Sequence, residues 1–209
     1  MGAVVAIDAL LRERRVWKGR PAAPAPGAQP TGHAALDAAL PSGGWPEAAL
    51  SELLVPLDGI GELGLLWPAL ARLSQAGERI VLVAPPYLPY APAWQAAGID
   101  LERLQVVGAA ATPPREALWA AEQCLRSGCC GAVLCWPQQA DDRALRRLQV
   151  AAEAGATLAF ATRPLAAARN PSPAALRIAI DAQPAQLRVL KCRGGIAPAR
   201  PIPLRAVED

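Results

Sequence analysis

Residues Gly59-Ile60-Gly61-Glu62-Leu63-Gly64 form a G-x-G-x-x-G run directly after the apolar stretch "LSELLVP". Glycines at a strand-to-helix turn let backbone approach a phosphate, so two chemistries are open to this loop. Dinucleotide binding needs a carboxylate about 20 residues further on, at the end of the next strand, to hold a ribose. Here that strand ends Val83-Ala84-Pro85-Pro86. No acid is available, and the dinucleotide reading fails. Triphosphate binding needs G-x-x-x-x-G-K-[ST], with the lysine on phosphate and the hydroxyl on magnesium. Aligned on Gly61, the chain has Pro56 for the first glycine, Glu62 for the lysine and Leu63 for the hydroxyl. Pro56 has no N–H to donate, and Asp58 and Glu62 repel phosphate. The strand–loop–helix shape survives with its chemistry inverted. The loop reads as a structural turn whose glycines serve tight packing, with no catalytic residue, cofactor or metal ligand assigned.

Other chemistry-bearing residues are sparse. The five cysteines (Cys124, Cys129, Cys130, Cys135 and Cys192) contain no C-x-x-C pair, and His33 is the only histidine. A zinc site and a disulfide framework are both disfavoured, and the thiols are expected as buried small apolar groups. Arg143, Arg146 and Arg147 fall at i, i+3 and i+4, one helical face that is either a DNA or partner patch or ordinary solvated charge. Net charge is +3 but uneven: residues 1–20 carry five Lys/Arg and two acids, and residues 163–209 carry eight and three. Basic ends suit nucleic acid or an acidic partner, and equally suit plain solvation. Val16 and Trp17 precede a Pro-rich stretch and are a candidate tethered anchor, the alternative being a helix folded back on its own domain.

The elements that must position these residues follow from periodicity. Residues 1–20 read as a helical segment, residues 21–30 with four prolines as a semi-rigid linker, and 31–209 as one domain. "TGHAALDAAL" is a short helix with Thr31 as its expected N-cap. "LSELLVP", "RIVLVAP", "LQVVGA", "CGAVLCW" and "TLAFATRP" are strands, each followed or preceded by an amphipathic helical stretch. Such alternation predicts an α/β fold, a mostly parallel sheet with helices on both faces. "ALRIAIDAQ" and "QLRVLKCRG" are expected as antiparallel edge strands joined by a turn at Gln183-Pro184. The apolar start followed by basic residues is the reverse of a secretory leader, and no stretch is long enough for a membrane span, so a cytoplasmic location is expected.

The segment "PTGHAALDAALPSGGWPEAALSELLVP" resembles the run before the phosphate loop of the RecA recombinase, matching at Thr31, Gly32, Leu36, Asp37, Ala39, Leu40, Gly43, Gly44 and Pro46. The likeness continues through "GID", "LRSG" and "LKCRGGIAPA", covering about residues 30–200 in order. Within the RecA/SulA-like superfamily the chain looks most similar to the ImuA-type accessory proteins of mutagenic translesion synthesis, through "VWKGR", "LVAPPYLPYAPAW", "EALWAAEQ" and "DDRALRRLQ".

The resemblance implies a RecA-like P-loop NTPase core with a degenerate nucleotide site. The glutamate that activates water falls on Pro86, the adenine-flanking residues near Tyr90 and Ala93, the Walker B aspartate on Trp136 and the polar sensor near Arg163. Neither a magnesium ligand nor a general base remains. Lys191 and Arg193 match a basic pair that reaches a neighbour's phosphate in RecA filaments. Of the two DNA-binding loops, one shrinks to the acidic "PQQADD". The other becomes "RPLAAARNPSP", with Arg163 and Arg169 but no aromatic, so direct DNA binding is expected to be weak or absent. The implied function is a non-enzymatic adaptor in SOS-type mutagenesis, nucleoid-associated during damage. Its implied partners are RecA and an inactive Y-family polymerase-like protein of the ImuB type, and through it the sliding clamp and an error-prone DNA polymerase III alpha subunit. The other reading is a SulA-like division inhibitor binding FtsZ.

Overall fold

The computed structural model describes residues 29–204. Val16, Trp17, the helical segment and most of the linker lie outside the described residues. Strands β1 (Leu50–Val55), β2 (Ile80–Val83), β3 (Leu104–Val107), β4 (Ala132–Cys135), β5 (Leu158–Pro164), β6 (Leu176–Ala182), β7 (Ala185–Cys192) and β8 (Ile202–Pro203) form one sheet. Their order is β3-β2-β4-β5-β1-β6-β7-β8. Helices α1 (Ala34–Ala39), α2 (Glu62–Gln75), α3 (Ala91–Ala96), α4 (Pro114–Arg126) and α5 (Asp142–Ala154) alternate with the strands. No helix among the described residues is long and apolar enough to cross a membrane.

The expected alternation of elements is observed, and β6 and β7 form the expected antiparallel pair across a turn at Gln183-Pro184. The correction is that β6 is an internal strand, between β1 and β7, and not an edge. β6 pairs parallel with β1, through Ser51 opposite Leu176 and Leu54 opposite Ala179. Only β7 runs against the rest of the sheet, pairing antiparallel with β6 on one side and β8 on the other. A parallel β6 needs a crossover after β5, and residues 165–175 supply one that includes a 3-10 turn, Leu165–Arg169. Periodicity alone could not reveal this, because a short connection without a helix looks like a hairpin.

The sheet is covered on both faces, which explains why β1, β2 and β4 are buried along their whole lengths. On one face Leu53, Leu82, Leu134, Phe160 and Ile178 pack under α1, α2 and α3. On the other, Leu50, Val81, Val133 and Ala159 pack under α4 and α5. In α2, Leu65, Leu66, Ala69, Leu70 and Leu73 form the buried stripe that this packing requires. Trp45, fully buried, meets Phe160 edge-to-face with ring centroids 5.1 Å apart.

Several motif residues before the loop have structural roles. The Asp37 carboxylate accepts the Thr31 N–H at 2.8 Å, and Leu36 is fully buried. At Gly44 a Cβ would stand 2.3 Å from the Gln29 carbonyl oxygen, and the Trp45 N–H donates to that same oxygen. Thr31 does not cap α1: the N-cap is His33, and the Thr31 hydroxyl instead accepts the His33 N–H at 3.0 Å. The thiols also depart in part from expectation. Cys130, Cys135 and Cys192 are buried, but Cys124 is half-buried and Cys129 exposed. Burial pushes Cys130 up to about 11 and Cys135 to about 12, as for inert core thiols.

Candidate functional site

In open α/β sheets ligands bind beyond the carboxyl ends of the strands, near a topological switch point. Here β1 runs into residues 56–61 and then α2, which begins at Glu62. Gly59 and Gly61 have φ of 85° and 105°, in the left-handed region that favours glycine. A Cβ at Gly59, Gly61 or Gly64 would meet nothing within 4 Å, so tight packing is not their role. Gly59 and Gly61 are needed for backbone conformation, and Gly64 has no such requirement.

The loop is filled from within. Glu62 is 3% exposed, and one of its carboxylate oxygens accepts the Gly59 N–H at 2.8 Å. A side-chain anion thus takes a backbone donor that a phosphate would need. Burial, and then the nearby Glu62 charge, hold the Asp58 carboxyl above the usual carboxylate range. The Glu62 charge thus opposes ionisation of Asp58, and an anion placed beside Asp58 and Glu62 would meet the same repulsion.

The tertiary structure brings together the positions that the resemblance singled out. Glu62, Leu63, Pro86, Tyr90, Ala93 and Trp136 all line one cavity of about 210 Å³. Part of its lining is apolar and exposed: Tyr87 at 70%, Leu88 at 92% and Tyr90 at 70%. A second cavity of about 330 Å³, lined by Thr112, Cys135, Gln138 and Gln139, lies on the other side of Trp136. Between the two, Ala84 has φ of 47° and donates its N–H to the Val107 carbonyl at 2.8 Å. This left-handed residue turns the chain out of β2 into Pro85-Pro86.

Arg163 does not join this site. Its guanidinium is 2% exposed and donates to Glu52 at 2.6 Å, and to the Ala140 and Pro137 carbonyls. Arg177 donates to the other Glu52 oxygen at 2.6 Å and to the Ala167 carbonyl at 2.9 Å. Arg163 is therefore unavailable as a sensor or as a DNA contact, a correction to the sequence expectation, whereas Arg169 is exposed. The triad closes the sheet face over β1, β5 and β6, under the 3-10 turn. Sequence reasoning passed over Glu52 and Arg177. The available signal was a charge inside each of two otherwise apolar strands, "LSELLV" and "LRIAI", since buried charges are paired.

The remaining candidates lie elsewhere. Arg143, Arg146 and Arg147 are exposed on α5, with Arg146 3.5 Å from Asp142 and Arg147 3.1 Å from Glu122. Lys191 and Arg193 are exposed at the end of β7, beyond the short stretch that β8 covers. Lys191 donates to the Ser172 carbonyl at 2.8 Å, and Arg193 sits 3.6 Å from Glu153 in the last turn of α5. Burial first, then Arg177 and Arg193, hold the Lys191 amine below its ordinary value. Arg193 thus borders the C-terminal turn of α5, the helix that also carries Arg143, Arg146 and Arg147. No group of three or more His, Cys, Asp or Glu able to hold a metal occurs among the described residues.

No protein-family model matches the chain, and no curated protein matches it. Among solved structures the chain is similar to SulA from Pseudomonas aeruginosa, at 28% identity and a TM-score of 0.45, over 57% of this chain and 99% of that one.

Proposed function

We propose that this chain is a non-catalytic RecA-like adaptor in SOS-induced mutagenic translesion synthesis, contacting RecA and an inactive Y-family polymerase-like partner. The observation that carries the non-catalytic part is the Glu62 carboxylate seated on the Gly59 N–H, where a phosphate would have to sit. Pro86 and Trp136 on the same cavity offer neither a base nor a metal ligand. The RecA-like part is supported by a parallel sheet with β1 between β5 and β6 and the degenerate loop at its carboxyl end. The partners rest on the motif resemblance. An exposed apolar rim in place of a nucleotide cleft suits a protein that works through surfaces.

Co-purification from cells after DNA damage tests the role. Recovery of RecA and the polymerase-like protein supports it. Recovery of FtsZ instead would establish the SulA-like division-inhibitor reading. A second measurement addresses the enzyme question. The purified chain should hydrolyse ATP no faster than a blank, and Glu62→Lys should not create turnover, because the base and the metal ligand are still missing. Turnover that disappears in Glu62→Ala would overturn the non-catalytic reading.

The basic pair offers a third test. Lys191→Glu with Arg193→Glu should weaken binding to RecA at low salt, and the difference should shrink as salt rises, since exposed charges are screened over roughly 10 Å at 0.1 M. Unchanged affinity at low salt would remove this edge and leave the α5 arginines as the basic candidate.

A further inference from the structure

The 210 Å³ cavity is unusual in this chain for its lining. The whole sequence has six tryptophans, two tyrosines and one phenylalanine. Three of those tryptophans (Trp67, Trp94 and Trp136) and both tyrosines (Tyr87 and Tyr90) line this one cavity. Aromatic faces carry negative quadrupolar charge and attract cations, most strongly when desolvated. Asp58 and Glu62 are the charged residues of the lining, which contains no lysine, arginine or histidine.

The second observation is an unsatisfied acceptor. Glu62 uses one carboxylate oxygen on the Gly59 N–H, and the other, Oε2, is buried without a hydrogen-bond partner. A buried carboxylate oxygen left unpaired is costly, so a cation reaching it is stabilised by relieving that cost as well as by direct attraction. The Trp67 Nε1–H, on the same lining, is also buried and unpartnered, and suits a carbonyl from an incoming chain. An ammonium or guanidinium group is therefore the complementary ligand, the opposite of the phosphate that this loop position would ordinarily take.

The surroundings choose the carrier. A free small amine would fill the aromatic cleft and leave Tyr87 and Leu88 as exposed as they are now, at 70% and 92%. A side chain on a peptide with apolar neighbours would cover them. From the aromatic lining, the paired acids and this apolar rim we infer that the cavity is a docking site for an arginine or lysine side chain on an apolar segment of a partner protein. The inference does not depend on which pathway the partner serves.

The test titrates the full chain with a capped leucine-arginine-leucine tripeptide and follows tryptophan fluorescence. The citrulline counterpart, which keeps shape and loses charge, serves as the matched control. Butylguanidinium stands for a free cation. The arginine peptide should saturate the signal and bind at least about tenfold tighter than the citrulline peptide, the scale of one desolvated cation–π and charge-assisted contact. Glu62→Gln with Asp58→Asn should lose that preference, with the melting temperature checked in parallel. If the double variant does not fold, the arginine-against-citrulline comparison on the unaltered chain still decides. Equal affinity for the two peptides, or no binding of either, would overturn the inference. Butylguanidinium binding as tightly as the peptide would overturn the partner-protein assignment in favour of a small-amine site.

Discussion

Glu52→Ala should lower the melting temperature by about 6–20 °C. Glu52 is fully buried and holds Arg163 and Arg177 at 2.6 Å each. Removing the shared carboxylate leaves two guanidiniums, 2% and 8% exposed, facing each other with only backbone carbonyls as partners. Breaking a buried pair by deleting one partner costs about 3–5 kcal/mol. For a chain of this size each kcal/mol is about 2–4 °C. Set against a typical stability of about 5–15 kcal/mol, this is a large share. Replacing all three charges with apolar side chains of similar volume should recover most of the loss, because the penalty comes from unpaired charge rather than from the absence of a salt bridge. Thermal denaturation of the single and triple variants separates the two effects. A single variant within about 2 °C of the unaltered chain would mean that Arg163 and Arg177 are satisfied without Glu52.

Trp45→Ala should cost about 3–5 kcal/mol, and Trp45→Phe less than about 1.5 kcal/mol. Trp45 is fully buried against Phe160, and its backbone N–H donates to the Gln29 carbonyl at 2.7 Å. Alanine leaves a cavity under α1 and removes the contact that fixes the segment before β1 on the sheet. Phenylalanine keeps the ring contact and removes an indole N–H that is buried without a partner. Losing an unsatisfied donor offsets part of the lost volume, because such a group costs about 1–3 kcal/mol when buried. Urea denaturation with an unchanged slope measures both variants. Equal destabilisation by alanine and phenylalanine would show that the indole nitrogen is satisfied in solution.

The sequence alone determined the alternation of strands and helices, because hydrophobic periodicity is a local property that survives into the fold. α2 begins at Glu62 and ends at Gln75, as its pattern requires. The absence of a phosphate-loop pattern was legible too, since Glu62 and Leu63 stand where that pattern has a lysine and a hydroxyl. Other features were decided only in three dimensions. The parallel pairing of β6 with β1 depends on where a helix-free crossover returns the chain. The meeting of Glu52 with Arg163 and Arg177 joins residues more than a hundred positions apart. Arg163 therefore changes from an apparent loop cation to a buried structural one. The seating of the Glu62 carboxylate on the Gly59 N–H depends on two left-handed glycines whose φ values no pattern of residue types specifies. The gathering of five aromatics in one cavity with that carboxylate depends on α2, α3 and the ends of the paired strands β2 and β4 coming together. In each case the deciding energy is a long-range one, the pairing of buried charge or the burial of rings across strands, and it acts only once the sheet has assembled.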